Sequence, residues 1–447
     1  MSCGDGAVDL VRPAGELAPP AGEPIGPAPP NPRTTSRRAP PRPPAATQRP
    51  RCTNPLDLFA GPHLREGRLR RPREPLGSIG LTERGHPQGS HAGPPVEVSA
   101  WSVYPVSAAG PRVRMVNFAP FLRPHGVNLA FRSSLRDPEY KLLMSNARPW
   151  RKAWPVISSG ARTLRHDFSE GSVVLIHRLA GVTPLPRVDP PRKLDVYDFD
   201  DALYLGSISS TNQMFSGLKR EAARFVSYAR SARLVIAGNS LLASHARAWA
   251  RSVEVVPSCV DPSRQPTREH GEYATITIGW IGSPSTTPYL RQLWPSVEAL
   301  RRGGLDARVV TVGAARLPEE SWLEQRPWDL HREAADLASF DLGVMPLDDD
   351  EWARGKCGYK LLQYFAAGLP VVASPVGVNS TLVADERGHL AQSQMEWTQT
   401  LGDLCRNAPA RREAGRAARE YVERNFSYER WAPDLANMIK TLGTARA

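Results

Sequence analysis

Lysine is nearly absent from this chain. Only seven of its 57 basic residues are lysines (141, 152, 193, 219, 356, 360 and 440), and none comes before residue 141. Alanine, glycine and proline are abundant, so the excess of arginine reads as the residue bias of a GC-rich genome. The formal net charge of +12 is discounted accordingly, and no nucleic-acid partner is expected. Cysteine is scarce as well. Cys3, Cys52, Cys259, Cys357 and Cys405 fall at no CxxC spacing, so neither a zinc site nor a disulfide framework is indicated. A reduced, cytoplasmic setting fits that usage. No apolar run approaches the roughly 20 residues of a membrane span. The N-terminus has no basic-then-apolar leader pattern.

What is present is uneven. A length of 447 residues sets a prior of about three domains. Residues 1–110 are rich in proline and arginine and poor in apolar periodicity, so they read as a disordered tail that cannot offset its ordering entropy. Within it, "LREGRLRRPRE" (64–74) reads either as a patch for nucleic acid or an anionic surface, or as a solvated tail or the product of a start codon assigned too far upstream. From there strands and helices alternate. Expected strands are "VRMVNF" (113–118), "SVVLIHR" (172–178), "LDVYDF" (194–199), "ARLVIAG" (232–238) and "VEVVPS" (253–258). A second series comprises "TITIGWIGS" (275–283), "ARVVTVGA" (307–314), "DLGVMPL" (341–347) and "PVVAS" (370–374). Alternation of this kind indicates parallel sheets covered by helices. Two series joined near 260–272 give two doubly wound α/β domains facing each other, with the site in the cleft at the carboxyl ends of the strands. The expected divisions are a tail to 110, domains over 111–262 and 263–426, and a C-terminal helix over 427–447 that packs back on the first domain.

Against the scarcity of lysine, "GKCGYKLLQYFAAGLPVVAS" (355–374) stands out. It reads as a helix followed by a buried strand, with Lys356 and Lys360 at the helix start. On a helix, Lys356, Lys360 and Gln363 fall within about 60° of one another. A helix N-terminus already favours anions, so two lysines there suit a phosphate. The competing reading pairs both with the acids at 348–351. "GSPSTT" (282–287) is a strand-to-helix turn. Its Gly282, Ser283 and Ser285 suit a pyrophosphate or simply cap a helix. "YDFDDALY" (197–204) sets three acids, Asp198, Asp200 and Asp201, at a strand end, where one caps the next helix and another faces the acceptor as base or orienting group. His177 and Arg178 end a strand too, in "VVLIHR", and so point at the cleft, the histidine as a core residue or a site residue. "RPWRKAWP" (148–155) mixes two tryptophans with three cations, which suits a membrane surface or lipid-linked acceptor as well as loop packing.

The 355–377 stretch resembles the donor-binding motif of the family-4 retaining glycosyltransferases (glycosyl transferases group 1), roughly E-x-F-G-x-x-x-x-E-A-M-A-x-G-x-P-V-V-A-S. Gly358 takes the motif glycine. Gly355 and Gln363 stand where the family has two glutamates. "VVPSCVD" (255–261) and "IGWIGSPSTTPYL" (278–290) extend the likeness. "LRPHGVNLAFR" (122–132) resembles the family's glycine loop, with Gly126 near the donor. The resemblance implies the GT-B fold. It also implies transfer of a sugar, with retention, from a nucleotide-sugar substrate (UDP- or GDP-sugar) to a glycan or lipid-linked acceptor hydroxyl. The setting would be cell-envelope polysaccharide or glycolipid synthesis, in the cytoplasm or at the inner face of the plasma membrane. It implies no cofactor and no metal, since metal-binding D-x-D motifs belong to another glycosyltransferase fold. Two alternatives remain: a nucleotide-sugar-binding module that has lost turnover with its glutamates, and a GT-B sugar-nucleotide epimerase.

Overall fold

A computed structural model describes residues 94–444, apart from 146, 169–170, 172, 186–187, 207–219 and 384. The expected tail, with its basic stretch at 64–74, lies outside the described residues up to 93.

Two six-stranded, wholly parallel sheets form the framework. The first runs β2-β1-β3-β4-β5-β6, with β1 at Val96–Ser102, β2 at Val127–Ser133, β3 at Val173–His177, β4 at Val196–Phe199, β5 at Leu234–Ala237 and β6 at Val253–Val255. The second runs β12-β11-β10-β7-β8-β9. Its strands are β7 (Ile276–Ile281), β8 (Ala307–Val312), β9 (Leu323–Arg326), β10 (Leu342–Met345), β11 (Val371–Ala373) and β12 (Gly388–Leu390). The central strands are short apolar runs buried at every position, such as VVLIH and ITIGWI. A strand covered on both faces must read that way.

The helices that matter below are α1 (Ala109–Arg114), α2 (Asp137–Met144), α3 (Pro149–Arg165), α4 (Tyr359–Ala366) and the last, α5 (Tyr428–Thr444). Helix α5 leaves the second domain and covers the first sheet. Tyr428, Ala432, Leu435 and Ile439 pack with Val98, Val127, Val173 and Leu234. Independently of this helix, residues of the two sheets share one apolar cluster that runs from Trp101 to Phe426. The arrangement is the GT-B fold.

Strand order reverses between β1 and β3 in the first sheet, and between β7 and β10 in the second. Those are the points where an open parallel sheet leaves a crevice beyond its carboxyl ends.

Two expectations are corrected here. The first strand is Val96–Ser102, inside the stretch assigned to the tail, so the ordered fold begins before 110. "VRMVNF" is not a strand. It straddles α1 and a 3-10 turn at Val116–Phe118. Its apolar residues Val113, Met115 and Phe118 are buried, and a short apolar run of this kind does not by itself distinguish helix from strand.

Candidate active site

At the switch point of the first sheet, β3 ends in His177, which is fully buried. Its partner across the β3–β4 register is Asp198. The Asp198 carboxylate accepts from His177 Nδ1 at 2.7 Å, and from Arg114 of α1 through Nε at 3.1 Å and Nη2 at 2.5 Å. Arg114 also donates to the Val256 carbonyl at 2.7 Å. Burial alone would push the Asp198 carboxyl up. The Arg114 guanidinium and the His177 hydrogen bond outweigh it and hold the group below its ordinary 3.8.

The far side of the imidazole is different. His177 Nε2, Asp200 Oδ1 and Arg178 Nε are all buried, and none makes a hydrogen bond among the described residues. Asp200 Oδ1 lies 3.8 Å from His177 Nε2 and 3.8 Å from Arg178 Nε. The other end of Arg178 is tied to Asp201. Burial disfavours the Arg178 charge, but Asp201 and Asp200 more than compensate and keep it cationic. Arg178 itself holds φ at 64°, a left-handed conformation that costs about 1–3 kcal/mol for a non-glycine residue. Buried polar atoms normally find partners. Three without a hydrogen bond among the described residues, one of them on the strained Arg178 itself, make this the candidate ligand site of the first domain. Gly110 borders it, since a Cβ there would stand 2.7 Å from His177 Nε2.

At the switch point of the second sheet, α4 starts at Tyr359 after Gly358, whose φ of 67° is left-handed and suits glycine. Lys360 lies in the first turn and reaches back over the turn after β7. Its Nζ donates to Thr286 Oγ1 at 3.1 Å and sits 4.2 Å from the Trp280 ring centroid. Gly282 makes room for it, since a Cβ there would come within 2.7 Å of that ammonium. Ser283 and Ser285 hydroxyls, exposed on the same turn, lie 2.9 Å apart. Burial, and then the charge of Lys356, push the Lys360 amine well below its ordinary 10.5. No carboxylate pairs with Lys356 or Lys360 among the described residues. The acids at 348–351 have other roles: Asp348 accepts from Gln292, Asp349 pairs with Arg354, and Asp350 caps the turn at Ala353.

The two halves meet. The Cys357 thiol donates to the Asp200 carbonyl at 3.2 Å, and Asn239 Nδ2 donates to the Gly355 and Lys356 carbonyls at 3.2 and 3.3 Å. The segment that leads into α4 is therefore clamped against the ends of β4 and β5.

Of the residues singled out from sequence, His177, Asp200 and Asp201 gather on the first-domain side. Gly282, Ser283, Ser285, Gly358 and Lys360 gather on the second. Lys356 is half-buried, with its Nζ 5.7 Å from the Trp352 ring centroid. It precedes α4 rather than riding on it, so the expected helical stripe of Lys356, Lys360 and Gln363 is corrected. The glycine at 358 breaks the helix between a four-residue turn (Glu351–Arg354) and α4. Gln363 is buried on α4. Gly126 is not part of this site. It precedes β2, and its carbonyl accepts from Val96 N at the start of β1, at the amino edge of the sheet and opposite the cleft. That misplacement follows from taking 113–118 as the first strand. The loop that does follow β1 leads to Gly110. Gly355 is packed so that a Cβ would lie 2.8 Å from that of Ala202, which leaves no space for the glutamate of the motif. Asp198 was one of the three acids weighed at its strand end, whereas Arg114, Trp280 and Thr286 were not singled out. Their one signal was position, at or beside strand ends already selected.

Residues 275–407 match the model of the family described as Glycosyl transferases group 1. No curated protein matches the chain. Among solved structures, the chain is similar to sucrose-phosphate synthase from Thermosynechococcus elongatus (TM-score 0.56, 13% identity, 78% of this chain and 100% of that one). It is also similar to Anabaena HepE, solved in complex with UDP and glucose (TM-score 0.52, 13% identity, 77% and 100%). TarM is matched at TM-score 0.48 and 14% identity over 60% of this chain, which spans only 54% of TarM's length. These likenesses are to the fold.

Proposed function

We propose that the chain is a glycosyltransferase that moves a sugar from a nucleotide-sugar donor to an acceptor hydroxyl. The observation that carries this reading is the pairing across one boundary: buried polar atoms without a hydrogen bond at His177, Asp200 and Arg178 lie next to the segment leading into α4, whose lysines pair with no carboxylate among the described residues. The family match over 275–407 supports it. In this reading the donor diphosphate lies on the Gly282–Ser285 turn and the N-terminus of α4, where Lys360, Lys356 and free N–H groups stabilise it. Gln363 reaches the ribose from the same helix. The C1–O bond to the diphosphate breaks, the diphosphate leaves with the electron pair, and C1 joins the acceptor oxygen. Asp200 takes the acceptor's proton. Asp201 holds Arg178, and His177 orients the sugar through Nε2. No metal is assigned to Asp198 and Asp200, because Asp198 is already saturated by Arg114 and His177. Retention at C1, and an acceptor in cell-envelope glycan or glycolipid synthesis, belong to the same reading. HepE's complex with UDP and glucose makes UDP-sugars the first donors to test.

A thermal-shift panel of nucleotide sugars is the test, since a ligand that binds the folded state raises apparent stability by mass action. One donor class is expected to stabilise the protein and to be consumed when an acceptor is supplied. Stabilisation with no turnover would favour a binding module, consistent with the crowded Gly355. Isomerisation without acceptor would favour an epimerase.

Lys360→Met is expected to weaken the nucleoside diphosphate by about 10- to 150-fold, the worth of a charge-assisted hydrogen bond, and to leave the free nucleoside almost unchanged. Affinity should also fall as pH rises, because the depressed Lys360 amine loses its proton early and the anion must restore it. The sign for stability is opposite. A lysine depressed on folding is a burden while protonated, so the ligand-free variant should melt higher than wild type at neutral pH. Calorimetry of both ligands across pH checks this, and unchanged diphosphate binding by a folded variant would remove Lys360 from the site.

A further inference from the structure

Helix α3 carries a second, separate feature. Trp150, Trp154, Ile157 and Leu164 are 70%, 69%, 63% and 55% exposed. At helical spacing they fall within about 80° of one another, so they form one continuous apolar stripe facing solvent. Monomers seldom leave such a patch open without use. The opposite face is accounted for: Lys152, Pro155, Ser159 and Thr163 are buried, and Arg162 donates to the Ser134 carbonyl at 2.7 Å.

The helix itself carries charge of one sign, and the neighbouring carboxylate, Glu139 of α2, is taken by Arg162 and Ser158. The helix contains no aspartate or glutamate in its 17 residues. Arg148, Arg151 and Arg165 are exposed beside the stripe, and no carboxylate pairs with any of them among the described residues. Tryptophan is the residue that prefers the boundary between water and lipid, because one end of its ring system is apolar and the other donates a hydrogen bond. A basic helix with an apolar, tryptophan-bearing face is the pattern that lies flat on a membrane. Its location adds to this. Ser158 donates to Glu139 of α2 at 2.7 Å, and Thr163 Oγ1 lies 3.4 Å from the Ala180 carbonyl. The helix thus packs on the loops that follow β2 and β3, and the latter begins at His177 and Arg178.

We propose that the outer face of α3 docks on an anionic phospholipid bilayer, with Trp150, Trp154, Ile157 and Leu164 at the headgroup–acyl boundary and Arg148, Arg151 and Arg165 on the headgroup phosphates. Docking in this way holds the carboxyl-end loops of the first domain close to the bilayer surface, where a lipid-linked molecule would be within reach. The docking itself needs no sugar transfer, so it stands or falls apart from the reaction.

The test is sedimentation of the full-length protein with vesicles of phosphatidylcholine, with or without phosphatidylglycerol. Wild type should sediment with the anionic vesicles, and added salt should weaken it. Each basic residue near an anionic surface is worth about fivefold in partitioning, so R148Q/R151Q/R165Q should lose about 100-fold. W150S/W154S should lose about tenfold or more on the same vesicles. Both variants replace exposed side chains and should melt as wild type does. If W150S/W154S sediments as well as wild type, another part of the chain carries the binding and the proposal is overturned. It is equally overturned if wild type ignores anionic vesicles, whether the protein is then a monomer or forms a dimer that W150S/W154S dissolves, which would make a second copy the occupant of the face.

Discussion

Asp198→Ala is expected to cost about 3–5 kcal/mol of stability, the penalty for leaving one member of a buried ion pair without its partner. The side chains of Arg114 and Asp198 are only 1% and 5% exposed, so water cannot replace the lost carboxylate. Two donors of Arg114 and the Nδ1 proton of His177 would lose their acceptor together. Asp198→Asn keeps the shape and part of the bonding, so its cost should be smaller. Removing both charges is the control. Replacing a buried pair by apolar residues of similar size is often neutral, so Arg114→Met with Asp198→Leu should recover much of the loss. The pH dependence has a fixed sign. Asp198 is held below 3.8 in the folded protein, so its contribution is complete above that value and disappears as pH falls through the folded pKa. Wild type should lose stability in that acid range, and Asp198→Asn should lose less. Denaturant melts of the three variants across pH decide the matter. A cost for Asp198→Ala below about 1 kcal/mol would mean the cluster is wet and the pair is no anchor.

The sequence reading succeeded where burial leaves a continuous apolar run. Strands β3, β4, β5, β7, β8, β10 and β11 were all visible this way, because each is covered on both faces. At the sheet margins it caught β6 in "VEVVPS" (253–258) but missed β2, β9 and β12. β2, "VNLAFRS", is buried only at Val127 and half-buried or exposed beyond it, as suits an edge strand, and β9 reads "LEQR". Neither resembles a buried run. β1 was lost for another reason: "VEVSAWS" directly follows the proline-rich stretch, whose composition dominated the assignment. Taking 113–118 as the first strand then carried Gly126 to the wrong end of the sheet. The donor side was legible because its residues are clustered in sequence and chemically unusual, two of only seven lysines standing four apart. The helical stripe drawn through them was not real, because a glycine in left-handed geometry resets the chain at 358. The strand-end clusters were half legible. His177, Asp200 and Asp201 could be picked out as polar residues after apolar runs. That Asp198 belongs to Arg114, while Asp200 Oδ1 makes no hydrogen bond among the described residues, depends on contacts between residues more than eighty positions apart, which no local pattern encodes.

That division between the two aspartates leads to the second large effect. Asp200→Asn is expected to lower kcat by about 100- to 10,000-fold, the range for removing a positioned general base, while the donor KM and the melting temperature change little. The reasoning is geometric. Asp200 Oδ1 makes no hydrogen bond among the described residues, so an amide there breaks none, and Asp201 still holds the Arg178 charge. The nearest polar neighbours of Asp200 Oδ1 are 3.8 Å away, too far for a hydrogen bond but suited to a group that enters between them. Asp201→Asn is the contrasting variant. Asp201 is bonded to Arg178, so its loss should free a buried guanidinium and lower stability as well as rate. The two neighbouring carboxylates should therefore separate cleanly, one moving kcat alone and the other moving kcat and melting together. Steady-state kinetics with a consumed donor, alongside melting curves, distinguishes them. Full activity in a folded Asp200→Asn protein would assign proton removal elsewhere and reduce the unpaired cluster at His177 to a feature of packing.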